Sequence, residues 1–234
     1  MDNGHLLSYT DAMLLFITPT ISEYRSVEQA LDTASARNMA RLALCGMGSL
    51  RAEAFARDLA QGPPVAGLVL LGWAGGLETG LAVGDVVVAE AARDEEGAVV
   101  PCSPIDLPGA RRGTLLTVRR VLLSAAAKQA AWANGALAVE MEAYPLAAWA
   151  AAQGLPFVHA RVILDAADED LPSLATALDA FGRVRPLPLL GELLARPRLV
   201  PHLWLMARRL GRLRPILGAL AAAVLEAWPP GAPA

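Results

Sequence analysis

The chain has 234 residues, of which 55% are hydrophobic and 18% charged; 20 Lys and Arg against 23 Asp and Glu leave a net charge of −3. This length suits one large domain, or one domain with an appendage, and a core that needs no disulfide or metal staple. The hydrophobicity excludes a disordered chain, and the charge balance offers no case for a nucleic-acid partner.

Short apolar runs bounded by Gly and Pro predict strands at 13–18, 41–45, 66–71, 84–90, 114–121, 136–141 and 156–164. The longer stretches between and after them predict helices at 23–36, 49–60, 124–133, 142–153 and 172–182, with Ser49 and Ser124 at N-cap positions. Several of the strands are apolar almost throughout, as strands covered on both faces are. Strands alternating with helices imply an α/β layered domain with a largely parallel sheet. Residues 1–182 read as that domain, and residues 183–234 as an Arg- and Leu-rich helical extension.

The extension concentrates positive charge. Residues 183–234 hold eight arginines against Glu192 and Glu226, a net +6, so residues 1–182 carry −9. Leu199, Leu203, Met206, Leu210, Leu213, Leu217 and Leu220 recur at spacings of three and four, which puts them on one helical face. Arg208, Arg209 and Arg212 fall largely opposite. Such a helix suits an anionic membrane surface, and equally suits packing on the domain or on another subunit. Peripheral membrane contact through 199–227 and a homo-oligomer therefore both stay open. The first residues lack the basic start of a signal peptide, and the longest uncharged runs, 59–77 and 143–160, are broken by Gly and Pro. The expectation is a cytoplasmic protein without a transmembrane helix.

Two glycine clusters follow predicted strands, Gly46-Met47-Gly48 and Gly72-Trp73-Ala74-Gly75-Gly76. In α/β sheets ligands gather at the carboxyl ends of strands, where glycine lets the backbone come close. Tight turns explain either cluster alone. Arg51 stands where the third glycine of a dinucleotide fingerprint would be, so no such cofactor is expected. Cys45 and Cys102 are the two cysteines, and no Cys/His pair has metal-ligand spacing. His5, His159 and His202 are isolated. Acids carry more information. Glu23, Glu140, Glu142 and Asp165 lie in or beside apolar sequence, where a carboxylate is costly unless paired or used. A helix N-cap would explain Asp165 alone, and a salt bridge with Arg161 would explain Glu140. Acids at the ends of three different strands point instead to a site.

The ordered combination of Gly-Met-Gly, G-x-A-G-G-L…V-G-D-V-V-V at 72–88, A-V-E-M-E-A at 138–143 and R-V-I-L-D-A-A-D at 161–168 resembles the purine nucleoside phosphorylase and nucleosidase superfamily, over about residues 12–182. Within it, G-L-P-F at 154–157, R-V-x-x-D-x-A-D-x-x-L-P at 161–172 and the Arg/Leu-rich tail resemble the hopanoid-associated phosphorylases, also called adenosylhopane nucleosidases. The resemblance implies a three-layer α/β/α fold with a mixed, largely parallel sheet. It also implies cleavage of a purine N-glycosidic bond. Asp165 would protonate purine N7, Glu142 would hold the ribose 2′- and 3′-hydroxyls with Met141 packed against the sugar, and Glu23 would activate water. Gly46, Gly48, Gly75, Gly76 and Trp73 would line the substrate site, with neither metal nor cofactor.

The chain also departs from the pattern. Leu164 stands where the family often has Ser before the catalytic Asp. Leu70 and Trp73 stand where bacterial hexameric phosphorylases have phosphate-binding Arg and Ser; neither binds an anion as Arg does, although Arg25 and Arg51 remain possible substitutes. Water is therefore favoured over phosphate. The implied partner is a purine nucleoside, with a large 5′ hydrocarbon as one option and a small thioadenosine as another. A catalytically inert nucleoside- or lipid-binding relative is the reading from a different class.

Overall fold

A computed structural model describes residues 13–228, apart from 33, 134 and 174–176. Its sheet starts from β1 (Met13–Thr18), which pairs in parallel with β2 (Ala40–Leu44) and with the long β3 (Val65–Gly76). Beyond β3 the sheet curls. The strands β4 (Val86–Arg93), β6 (Arg111–Thr117), β7 (Ala138–Glu140) and β8 (Phe157–Asp165) join it, with the short β5 (Val99–Pro101) at one edge. Because β3 pairs with both β7 and β8, and the pairs β8·β4, β4·β6 and β6·β7 complete the path, these strands close into a ring. The sheet is mixed and largely parallel.

The burial of β1 and β3 shows why their sequences are apolar at every position. Leu15, Ile17, Leu68 and Leu70 face one side, beneath α3 (Ser49–Leu59) and α5 (Ala143–Ala152). Leu14, Phe16, Val69 and Leu71 face the other, beneath α1 (Ile21–Leu31) and α7 (Leu199–Glu226). Alternate side chains of a strand point to opposite faces, so both sets must be hydrophobic. On α5 the buried residues are mainly small (Ala143, Ala147 and Ala150), which lets that helix lie close to the sheet. The short α2 (Ala34–Met39) leads into β2, and α4 (Ala125–Trp132) starts at Ser124, whose hydroxyl accepts the Ala127 N–H as an N-cap.

Three local expectations need correction. Gly48, not Ser49, occupies the N-cap of α3; the Ser49 hydroxyl donates instead to the Met141 carbonyl, 2.9 Å away. The helix expected at 172–182 is absent over 177–182, and 174–176 lie outside the described residues. There the Asp179 carboxylate accepts the backbone N–H groups of Phe181 and Arg183, and Gly182 turns at φ 71°. Local side-chain bonds of this kind compete with a helix. Finally, the apolar stripe of the extension divides. Leu213, Leu217 and Leu220 are buried in the core against α1 and the sheet, whereas Leu199, Leu203, Met206 and Leu210 are only half-buried. The preceding α6 (Pro186–Ala195) buries no residue. Among the described residues no helix is long and apolar enough to cross a membrane.

The far half of α7 thus belongs to the main core. Leu217→Ala is expected to cost about 2–5 kcal/mol of unfolding free energy, the range for a buried leucine truncated to a cavity. Urea denaturation of the two proteins measures it.

Candidate active site

One cavity of about 220 Å³ collects the buried acids. It lies where β1, β3 and β8 end and where β7 runs into α5. Larger, open grooves of about 530 and 470 Å³ lie elsewhere on the surface, but neither contains a buried acid.

Glu23 reaches the cavity from the first turn of α1. Thr20 caps that helix, and the pair forms a capping box: the Glu23 N–H donates to Thr20 Oγ1 (3.4 Å), and Glu23 Oε2 accepts from the Thr20 N–H (2.7 Å) and hydroxyl (2.6 Å). The same carboxylate accepts the Trp73 N–H through Oε1 at 2.8 Å, which ties α1 to β3. Burial raises its pKa; Arg161 and these hydrogen bonds pull it down.

Arg161, fully buried on β8, is the hub. Its Nη2 donates to Glu140 Oε2 at 2.6 Å and to Glu142 Oε2 at 3.1 Å, and its Nε donates to His159 Nε2 at 2.9 Å. His159 can accept because burial, seconded by Arg161, depresses its pKa well below the usual imidazole range. Arg161 Nη1 is buried without a hydrogen-bond partner. A Cβ placed on Gly72 would fall 2.3 Å from Nη1 and 2.4 Å from Glu23 Oε1, so only glycine lets these two charged groups converge over β3.

Glu140 and Glu142 have different tasks. Glu140 accepts from the Thr117 hydroxyl (2.5 Å) and from the N–H groups of Glu142 (2.9 Å) and Ala143 (2.8 Å), so it closes the start of α5 and pairs with Arg161 as expected. Glu142 points into the cavity beside Met141. Its Oε1 accepts the Gly48 N–H at 2.8 Å, which explains why Gly48, at φ 93°, stands there. Burial pushes Glu142 up to about 7, with Arg161 opposing and Glu140 adding to the rise.

Asp165 ends β8 and lines the same cavity. Lys128 of α4, fully buried, places its Nζ 2.5 Å from Asp165 Oδ2. Burial raises the pKa of Asp165 and Lys128 lowers it. Gly75 sits against the same carboxyl: a Cβ there would lie 3.1 Å from Oδ2.

Of the residues expected from sequence, the cavity brings together Glu23, Trp73, Gly75, Met141, Glu142 and Asp165. Gly46, Gly48 and Gly76 support it without lining it. Gly46 turns at φ 84° beneath Arg51, and Gly76 packs against the Asp165 carbonyl. Leu70 is buried in the core. Arg25 is exposed in a groove between α1 and α7, and Arg51 lies over the Phe181 ring; neither reaches the cavity. The hub role of Arg161 and the presence of Lys128 were missed. Lys128 had one signal, being the single lysine beside nineteen arginines.

A family model described as the phosphorylase superfamily matches residues 23–110 and 102–185, which span most of the described sheet and every acid of the cavity. The chain belongs to the phosphorylase superfamily. Among solved structures, the fold is similar to 5′-methylthioadenosine/S-adenosylhomocysteine nucleosidase of Helicobacter pylori, with TM-score 0.66 and 14% identity over 92% of this chain and 98% of that one. Futalosine hydrolase of the same organism has TM-score 0.66 and 14% identity over 94% of this chain and 99% of that one. The Streptococcus pneumoniae nucleosidase has TM-score 0.59 and 21% identity over 67% and 87%. No curated protein sequence matches. Those solved structures share the α/β fold of this chain.

The pKa of Glu142 has a consequence for stability. A carboxyl whose folded pKa rises from 4.5 to about 7 contributes stability that is complete below 4.5 and is lost as pH rises through 7. Glu142→Gln is expected to flatten the fall in melting temperature across that window. Thermal scans of both proteins from pH 4 to 8 read the difference.

Proposed function

We propose that this enzyme hydrolyses the N-glycosidic bond of a purine nucleoside and releases adenine, with Asp165 as proton donor to N7, Glu142 as the ribose anchor and Glu23 as the base for water. The observation that carries the reading is the convergence of these three buried carboxyls on one cavity. Departure of the base leaves a ribosyl oxocarbenium ion. A proton delivered to the base, fixed sugar hydroxyls and a nucleophile held beneath the anomeric carbon lower that barrier. Burial lifts Asp165 towards the range in which a carboxyl can donate near neutrality. Glu23 and the Arg161 guanidinium both line the cavity, which sets the base beside a cationic hydrogen-bond donor.

Water is favoured over phosphate by the basic residues. Only Arg161 and Lys128 line the cavity, and each is already paired with carboxylates. A phosphate would add two negative charges to a set that already has more acids than bases. Adenine release is therefore expected without phosphate, with free sugar rather than sugar 1-phosphate as the second product. Asp165→Asn is expected to lose about 10²–10⁴ in rate, the usual contribution of a positioned acid. Adenosine and 5′-methylthioadenosine, assayed for free adenine with and without phosphate, test both points. Strict phosphate dependence overturns the choice of water, full activity of Asp165→Asn overturns the proton-donor assignment, and no adenine release from either nucleoside favours the inert-binder alternative.

The finer reading concerns the 5′ end of the substrate: a lipid-linked nucleoside such as adenosylhopane, in hopanoid biosynthesis, at the membrane surface. The support is a surface beside the cavity. Leu187, Leu190 and Leu194 of α6 and Val200, Trp204 and Leu205 of α7 are exposed, Leu187 to 81%. Arg196, Arg198 and Arg208 lie among them, Arg208 stacked 4.6 Å over the Trp204 ring. The groove lined by Pro172, Arg196 and Leu199, where α6 gives way to α7, shares Leu171 with the cavity. Apolar side chains ringed by arginines match an anionic bilayer. The surface thus runs over α6 and the start of α7 rather than along 199–227. The full chain is expected to co-sediment with phosphatidylglycerol vesicles at low salt and to detach as salt rises. Leu187→Glu with Leu194→Glu is expected to abolish sedimentation while sparing adenosine cleavage. Self-association through this face without vesicle binding would assign the surface to a second copy of the chain, and methylthioadenosine or S-adenosylhomocysteine would then be the better substrates.

A further inference from the structure

Lys128 has no role in the chemistry described so far, yet its environment is built around it. It is the single lysine of the chain and is completely buried. An ammonium taken wholly out of water costs several kcal/mol unless its charge and all its donors are met. The charge is met here by Asp165 Oδ2, an ion pair at 2.5 Å without hydrogen-bond alignment, and two of the donors by the carbonyls of Ala166 and Glu169 at 2.7 and 2.9 Å. The last two belong to the loop that leaves β8, so one side chain of α4 holds both the carboxyl and the backbone that carries it. That loop is also held from outside. Arg209 of α7 donates to both carboxylate oxygens of Glu169, at 2.6 and 2.9 Å, and to the Leu164 carbonyl at 3.0 Å. Leu164, next to Asp165, brings no hydrogen-bonding side chain of its own.

We propose that Lys128 is a positioning residue for the proton donor: it orients the Asp165 carboxyl towards the base and stabilises the carboxylate left when the proton moves to N7. The proposal rests on reading Asp165 as that donor. In the step, the O–H bond of the carboxyl breaks, N7 gains the proton, and the glycosidic electron pair passes to the purine. The negative charge that appears on Asp165 then sits beside a fixed ammonium. An interaction that grows as charge develops lowers the barrier more than it tightens ground-state binding. The charged groups around Asp165 are Lys128 of α4, Arg209 of α7 and Glu169 of its own loop; Lys128 and Arg209 hold its pKa down, while burial and Glu169 raise it.

The test is Lys128→Gln in the full chain, which removes the charge and keeps a donor for the loop carbonyls. Carboxyl-labelled aspartate followed by carbon NMR, with Asp165→Asn supplying the assignment, reads the titration of Asp165 without any substrate. The midpoint is expected to move up by about 1–3 pH units on loss of an adjacent opposite charge. With adenosine as probe, kcat is expected to fall by about 10²-fold with little change in KM. Lys128→Arg is expected to keep the wild-type midpoint. A residue that merely packs would leave the midpoint where it is, and that result, or a downward shift, overturns the proposal. Should Lys128→Gln fail to fold, the unmutated protein still decides. Nitrogen-labelled lysine gives one signal, which is expected to titrate together with Asp165; an Nζ resonance indifferent to that titration overturns the proposal equally. Wild-type cleavage by Asp165→Asn would instead sink the proton-donor reading, and the NMR result would then stand for the ion pair alone.

Discussion

The buried guanidinium of Arg161 is the constraint on which the site depends. A fully desolvated Arg survives only with its charge opposed and most of its donors filled. Glu140 and Glu142 at the junction of β7 and α5, His159 on β8 itself and the nearby Glu23 of α1 do this. Each acid is then fixed by a second bond: Glu140 by the start of α5, Glu142 by the Gly48 N–H, and Glu23 by its capping box and the Trp73 N–H. The carboxylates therefore come to the cavity already oriented, and substrate binding need not spend free energy on arranging them.

Charge imbalance does the rest. Four buried acids face two buried bases around the cavity. Leaving every acid ionised in so apolar a setting is unfavourable, so burial lifts Glu23, Glu142 and Asp165 above their ordinary values. The same surplus of acids over bases makes the cavity a poor host for a further anion.

The long α7 links this arrangement to the surface. Its second half is core, its first half carries exposed Trp204 and Leu205, and Arg209 between them grips the loop after Asp165. Whatever covers α6 and the start of α7 therefore bears on a helix that touches the catalytic-acid loop directly. The glycines of β3 serve the same convergence at the other side. Gly72 admits Arg161 and Glu23, and Gly75 admits Asp165, because no Cβ intervenes.

Much of the fold was legible in sequence because its signals are local. Apolar runs such as 66–71 and 156–164 mark buried strands, and Ser124 marks a cap. Glu23, Glu142 and Asp165 stood out because an acid in apolar sequence is anomalous wherever it lies. The turn at 177–182 was misread because Asp179 bonds backbone that a helical pattern would otherwise claim. Arg161 looked like one salt-bridge partner, since sequence does not reveal that β7, α5 and α1 all deliver acids to the same guanidinium. Lys128 drew no reading from sequence, because only the packing of α4 against the end of β8 removes its water. Composition and local pattern determined which residues are apolar, capped or anomalous; the closure of β3 through β7 and β8 decided which charges meet, because the energy of a buried charge depends on neighbours that are distant in sequence.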